Sequence, residues 1–287
     1  MPDFSIITCV SRPEVYDRCL LRSINATRGR HDVEIIPIHN EGNPYSASNA
    51  LNIGIDVACS DNLILVHQDV RLLPGWFDRL RQITNDMPRD WAVLGSAGID
   101  LQYGRNEIGQ WGGAAKRASV AVGQVWDADE RLNKEPYWNG SKETTKVHCA
   151  DECLLVLNKR TGLRFDALFT GFHFYGVDLC LQGRAAGYGI YCSNLPIIHY
   201  GQYSASFMGN NKYWVYLRML YDKWRLRFPE LLGTHFHWSH STHPHEGVVP
   251  ELTSYININL DDGEGCQVHL RSMGLNKVRL SGDRRQP

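Results

Sequence analysis

Three consecutive residues, His67, Gln68 and Asp69, close the run NLILVHQDVRLLPGW, in which four aliphatic side chains give way to an imidazole, an amide and a carboxylate. The same change from apolar to polar occurs at Ser11 and Arg12 after SIITCV, and at His39 and Asn40 after VEIIPI. Three such ends, supplying cationic and neutral donors, an amide and a carboxylate, make a site for a polar ligand. No glycine cradle is available to hold phosphate there. CVSRPEVYDR lacks the GxGxxG of a dinucleotide fold, GSAG at Gly95–Gly98 is too short, and no GxxxxGK[ST] occurs. A phosphate bound at these ends therefore calls for a divalent cation, and Asp69 is the evident carboxylate ligand. Further on, Asp178 stands early in YGVDLCLQGRAAGYG, the pair Asp151–Glu152 precedes CLLVL, and His199 ends LPIIHY. By residue type alone Asp178 is equally a helix-start acid favoured by the macrodipole, and a lone histidine such as His199 is more often structural than a ligand.

The elements that must position these groups follow from periodicity. FSIITCV reads as a strand, and EVYDRCLLRSI repeats Val15, Cys19, Leu20 and Ile24 at helical spacing. VEIIPIHN (Val33–Asn40) is a second strand, followed by a helix capped by Ser46 or Ser48 and carrying Ala50, Leu51, Ile53, Gly54 and Val57. NLILVHQ is a third strand, GWFDRLRQI a helix after Pro74, and WAVLGSAGI a fourth strand. Strands alternating with helices predict an α/β fold whose mostly parallel sheet is flanked by helices on both faces, with ligands bound beyond the carboxyl ends of its strands. Cys153–Leu157 is another strand, and Asp178 opens a helix that ends near the glycines of AGYG.

Composition excludes several classes. With 287 residues, 43% hydrophobic, 21% charged and a net charge of −1, the chain has ample core and no overall bias toward nucleic acid. Eight cysteines without a CxxC pair read as reduced core thiols, which points to the cytoplasm. The amino terminus lacks a basic, apolar leader and no 18-residue apolar run occurs, so neither export by the usual signal nor a membrane span is expected.

The order SIITCVSRP, VEIIPIHN, SNALNIGIDVACSDNLILVHQDV, FYGVDLCLQGRAAGY and IIHY resembles family 2 glycosyltransferases of the GT-A fold, in the branch typified by streptomycin-biosynthesis glycosyltransferase-like proteins. The resemblance covers roughly residues 4–200. It implies a nucleotide-sugar donor held by Ser11, Arg12, His39, Asn40, Asn49, His67, Gln68 and Asp69. In this family a DxD motif ends the third strand, and here HQD stands there, with His67 in place of the first acid. The resemblance further implies an Mn2+ or Mg2+ ion on Asp69 and His199, Asp178 as the catalytic base, and an acceptor contact from Asp151. His39 and Asn40 stand where the family carries paired acids for the nucleobase and ribose, so specificity for uridine does not transfer.

Between Leu101 and Lys146, Trp111, Trp126 and Trp138 offer flat faces for sugar rings, Trp111 and Trp138 above all for the acceptor; packing of a long loop explains them equally well. The expected organisation is a GT-A domain over 1–205, with a donor half to residue 100 and an acceptor half after it, and a C-terminal helix and small β appendage over 206–287. The helix at 211–228 mixes aromatics with lysines and arginines; it docks on its own domain or touches a membrane carrying a lipid-linked glycan acceptor. Five histidines between His235 and His245 read as a polar connector. A nucleotidyltransferase needs a glycine-rich basic turn after the first strand, which SRPEVYDR lacks, and in a non-catalytic sugar-binding module Asp178 would be only a helix cap.

Overall fold

The structure, a computed structural model, describes residues 1–102, 120–128, 134–200, 212–234, 236–239 and 251–254. The strands are β1 (Phe4–Val10), β2 (Val33–His39), β3 (Asn62–Val66), β4 (Val70–Leu72), β5 (Trp91–Gly95), β6 (Ala97–Asp100), β7 (Ala121–Ala128), β8 (Lys134–Asn139), β9 (Thr145–Ala150), β10 (Leu154–Asn158), β11 (Gly189–Cys192), β12 (Ile197–His199), β13 (Glu230–Leu232), β14 (Phe236–Ser239) and β15 (Glu251–Ser254). The α-helices are α1 (Pro13–Tyr16), continued through a π-helical turn at Asp17–Leu21 into α2 (Arg22–Thr27), then α3 (Ala47–Val57), α4 (Trp76–Asp86), α5 (Tyr175–Ala185) and α6 (Lys212–Trp224).

The expected α/β class is the one observed. The main sheet runs β2-β1-β3-β10-β5-β11-β9-β6-β7-β12-β4, with β8 on β7, and β13-β14-β15 form a small second sheet. β2, β1 and β3 are parallel, with Ile6 beside Ile35 and Ile64. β10 then lies antiparallel between β3 and β5. LLVLN is apolar throughout, so its sequence marks a buried strand without giving its direction. It follows a long excursion from β5 instead of one crossover helix, so the rule that keeps βαβ strands parallel does not bind it.

Side-chain alternation divides the core into two layers. Ile7, Leu63, Leu65, Leu155 and Leu157 face α3, α5 and α6, while Phe4, Ile6, Ile64, Val66, Leu154 and Val156 face α1, α2 and α4. Ser46 caps α3, accepting from the Asn49 backbone N–H at 3.2 Å. At Gly54 a β-carbon would lie 2.2 Å from Ile7 Cγ2, so a glycine is what lets α3 approach β1 this closely. α6 docks into the first layer through Tyr213, Tyr216, Leu217, Leu220 and Tyr221. No helix among the described residues is long and apolar enough to cross a membrane.

Candidate metal and sugar-transfer site

The turn after β3 is held at both ends. His67 N–H donates to the Cys153 carbonyl at 3.1 Å, and Val70 N–H donates back to the His67 carbonyl at 3.2 Å. β4 then pairs antiparallel with β12, placing His199 opposite Val70, while Tyr200 N–H donates to the Asp69 carbonyl at 2.9 Å. This pairing carries His199 across the sheet to Asp69, with Nε2 of the ring 3.5 Å from Oδ1 of the acid. His67 joins them. The ligand atoms of His67, Asp69 and His199 all lie within 4.8 Å of one another, and the two imidazole centroids are 5.7 Å apart. The Tyr175 hydroxyl, at the start of α5, is 2.8 Å from His67 Nε2 and fixes that ring.

Electrostatics favour a cation here. Burial pushes the Asp69 carboxyl up, but the hydrogen bond and charge of His199, with a smaller contribution from His67, outweigh it and hold the acid well below the ordinary carboxylate range. Burial lowers His67, against the pull of Asp69, which favours the neutral imidazole that can ligate. Two imidazoles and a carboxylate form a mixed nitrogen–oxygen set that suits a divalent transition metal. The pair Asp69 and His199 is thus brought together, with His67 as a third member. The available signal was the pair of ligand types, His67 and Asp69, in the turn that follows a buried strand.

The strand-end residues divide into two kinds. Ser11 and the exposed Arg12 border the site, and His39 is exposed beside Glu41. Gln68 is committed to the scaffold: its Oε1 accepts from the backbone N–H groups of Ser11 and Arg12 at 3.1 and 2.9 Å, and its Nε2 donates to Ser11 Oγ. Asn40 is fully buried, exchanging hydrogen bonds with the Tyr45 backbone and donating to Cys9 Sγ. In this structure these two amides brace the donor side from within the scaffold. Asn49 is exposed on α3 and lines a cleft between the loop after β2 and the loop before α5.

Asp178 is in the first turn of α5, as expected, yet its side chain is wholly buried. Oδ1 accepts from Trp224 Nε1 at 2.7 Å and lies 2.7 Å from Lys223 Nζ, while Oδ2 accepts from Gln182 Nε2 at 2.8 Å. In this structure the carboxylate reaches α6. The amino end of α5 is capped from outside by Glu152, which accepts from the N–H groups of Phe174 and Gly176 at 3.0 and 3.1 Å. Phe174 itself has φ +65°, a left-handed backbone rare for an aromatic residue. Burial and the neighbouring Asp151 charge raise Glu152 to about 8, against the lowering effect of those N–H groups. Asp151 sits between β9 and β10, half-buried, accepting from Cys153 N–H and Thr234 Oγ1 at 3.1 and 2.9 Å, close enough to influence His67.

Trp138 is buried and its Nε1 donates to the Val122 carbonyl at 3.0 Å, which packs it onto β7. Trp126 lines a separate cleft with Arg79 and Lys142. Trp111 lies outside the described residues, as do most of the histidines between His235 and His245, the segment 255–287 and much of 101–133.

Comparison with known proteins gives the class. A model described as "Glycosyltransferase like family" matches residues 5–217. The chain belongs to that family. It is 25% identical over 204 residues to "ATP synthase subunits region ORF 6" of Fuscovulum blasticum, covering 69% of this chain and 76% of that protein. A solved structure, "Crystal structure of GalNAc-T7 with UDP, GalNAc and Mn2+", is similar with a TM-score of 0.49 and 8% identity over 78% of this chain. The chain spans about half of it, 48% of its length.

Proposed function

We propose that this protein is a GT-A glycosyltransferase of the family 2 type, which moves a sugar from a nucleoside-diphosphate-sugar donor to a hydroxyl of a glycan or lipid-linked glycan, with inversion. The observation that carries the reading is the convergence of His67, Asp69 and His199 at the carboxyl end of β3 in a member of a glycosyltransferase-like family. The order of its strand-end motifs supports the streptomycin-biosynthesis-like branch and a role in glycan or polysaccharide biosynthesis.

His67, Asp69 and His199 would hold the ion, Mn2+ in preference to Mg2+ because two of the three ligands are imidazoles. A divalent ion bound there supplies Lewis-acid neutralisation of the charge that grows on the leaving diphosphate. Ser11, Arg12 and His39 border the donor, with Gln68 fixing the backbone that carries Ser11 and Arg12. Asp151, the half-buried carboxylate beside His67 outside the metal set, accepts the acceptor's proton after releasing the Thr234 hydroxyl that it holds here. Glu152 is engaged in capping α5 and Asp178 in holding α6, leaving direct displacement as the simplest route. Unpaired thiols such as Cys59 support a reducing, cytoplasmic compartment. Docking of α6 on the core leaves membrane contact there to exposed side chains such as Val215 on the helix and Leu226 just beyond its end.

The test is release of nucleoside diphosphate from a panel of nucleotide sugars with Mn2+, with the anomeric configuration of the product read by NMR. Release that depends on metal and on Asp69, with inversion, is expected. No binding or turnover of any nucleotide sugar removes the transferase reading, and retention removes the single displacement.

A further inference from the structure

His67 and its tyrosine partner are braced by two consecutive residues. The carbonyl of Cys153 accepts the His67 backbone N–H at 3.1 Å, and Glu152, one residue earlier, accepts the N–H groups of Phe174 and Gly176 at 3.0 and 3.1 Å. Those two N–H groups flank Tyr175, whose hydroxyl is 2.8 Å from His67 Nε2. The dipeptide Glu152–Cys153 therefore sets the spacing between the imidazole and the hydroxyl. Gly176 is part of this arrangement: a β-carbon there would lie 2.5 Å from Cβ of Glu152, so any larger residue would push the carboxylate off the helix start. The Tyr175 ring is 2% exposed and meets Phe165 edge-on, with centroids 5.5 Å apart. Phe165 is itself fixed by Asn52 of α3, which donates to its carbonyl at 2.9 Å and accepts its N–H at 3.0 Å. Neither side of the Tyr175–His67 contact can turn away without breaking these bonds.

We infer that Tyr175 is a positioning residue for the cation: its hydroxyl occupies Nε2 of His67 and leaves Nδ1 as the nitrogen offered to a divalent ion. The inference rests on the metal set of the reading above. A neutral imidazole carries one hydrogen, on either nitrogen. If the phenol donates to Nε2, that hydrogen is on Nδ1, which then has no lone pair for an ion. If Nε2–H donates to the phenol oxygen, Nδ1 is bare and can ligate. The two arrangements differ only in the imidazole tautomer and in a rotation of the phenol hydrogen, so an ion at Nδ1 selects the second. The phenol oxygen then does for His67 what a carboxylate or carbonyl does for other metal-bound histidines: it fixes the tautomer and raises the basicity of the ligating nitrogen. Asp69 and His199 are steered differently, by the pairing of β4 with β12 and by the Tyr200 N–H on the Asp69 carbonyl.

Titration of the whole chain with Mn2+, followed by electron paramagnetic resonance without nucleotide, tests this. The binding counted is the part lost in Asp69→Asn, which sets aside ions held by other histidines. Tyr175→Phe keeps the ring and its packing on Phe165, and melting curves recorded without metal verify its fold. Its Mn2+ affinity should fall about 10-fold to 100-fold. In a His67→Ala background the same change should have little further effect, because Tyr175 acts through that imidazole, whereas a merely structural tyrosine would weaken both backgrounds alike. A second readout needs no variant at Tyr175: with Zn2+ as a diamagnetic probe, 15N NMR should place the hydrogen of His67 on Nε2, the signal being identified by its loss in His67→Ala. The inference is overturned by wild-type affinity in Tyr175→Phe, by equal losses in the two backgrounds, or by a His67 hydrogen on Nδ1 in the Zn2+-loaded protein. Absence of Asp69-dependent Mn2+ binding in the wild type would overturn it together with the metal set. Nucleotide-sugar turnover is read separately, so that its absence removes the transferase reading alone.

Discussion

Replacing Asp178 by asparagine separates a structural role from a catalytic one. In the wild type, three donors converge on this buried carboxylate, from Trp224, Lys223 and Gln182. An amide can accept on one side only. If its oxygen keeps Trp224, its NH2 group faces the Gln182 donor, and Lys223 loses its charged partner on this side. A hydrogen bond to a charged group contributes about 1.5–3 kcal/mol, and breaking a buried pair from one side costs about 3–5 kcal/mol. Lys223 is one-third exposed and retains Asp166 at 2.7 Å, which moderates the loss. The expected cost is therefore about 2–3 kcal/mol, or a fall in melting temperature of roughly 3–5 °C for a chain of this size. Calorimetry or circular dichroism measures it, while nucleoside diphosphate release assayed well below both midpoints should retain most of its wild-type rate. A Trp224→Phe variant should combine non-additively with Asp178→Asn, because both alter one hydrogen-bonded cluster and removing the Trp224 donor frees the asparagine to turn its oxygen to Gln182 or Lys223. An unchanged melting temperature together with a hundredfold loss of transfer would refute this reasoning and restore Asp178 as the base.

Asp69→Asn should abolish Mn2+-enhanced binding of nucleoside diphosphates in a thermal-shift assay, and Mg2+ should substitute poorly in the wild type because of the two imidazoles; equal support from both ions argues against His67 and His199 as ligands. Glu152 is raised to about 8 in the folded state, so between about pH 5 and 8 the native protein holds a proton that the unfolded chain has lost, and its contribution to stability falls as pH rises through that window. Glu152→Gln should therefore make the unfolding free energy fall less steeply with pH, whereas a parallel profile means that Glu152 titrates normally. Gly54→Ala should cost about 1–3 kcal/mol in denaturant melts despite the better helix propensity of alanine, because the new methyl meets Ile7; a stabilised variant shows that α3 moves aside freely.

Much of the first hundred residues was legible because their signals are local. β1, β2 and β3 follow apolar runs bounded by polar turns, and the Ser46 cap precedes an amphipathic stretch. WAVLGSAGI, expected as one strand, divides at Ser96 into β5 and β6, which join different partners in the sheet. The metal pair was within reach through the resemblance, and His67 completed it because the turn after β3 lets both side chains point to His199. The hydrogen-bond partners of several candidate residues lie outside their own strand or helix and were not legible. Asn40 is used by Tyr45 across a loop, and Trp138 by Val122 across a hairpin. Asp178 is tied to Trp224 from another helix, and nothing in YGVDLCLQ announces that contact.

The position of β10 has a consequence for how the protein is made. β3 and β5 do not touch as sheet neighbours; each is completed only when Leu154–Asn158 slides between them. A ribosome adding about 5–20 residues per second needs roughly 5–20 s to pass from the end of β3 to the end of β10, and throughout that interval β3 has an open edge. An apolar strand with unpaired N–H and carbonyl groups is a template for other chains. The nascent amino-terminal third is thus the stage at which a chaperone has most to protect, and a chain ended near residue 100 would carry that exposure permanently. Truncation points short of Leu154 should therefore all leave this edge exposed, whatever their length.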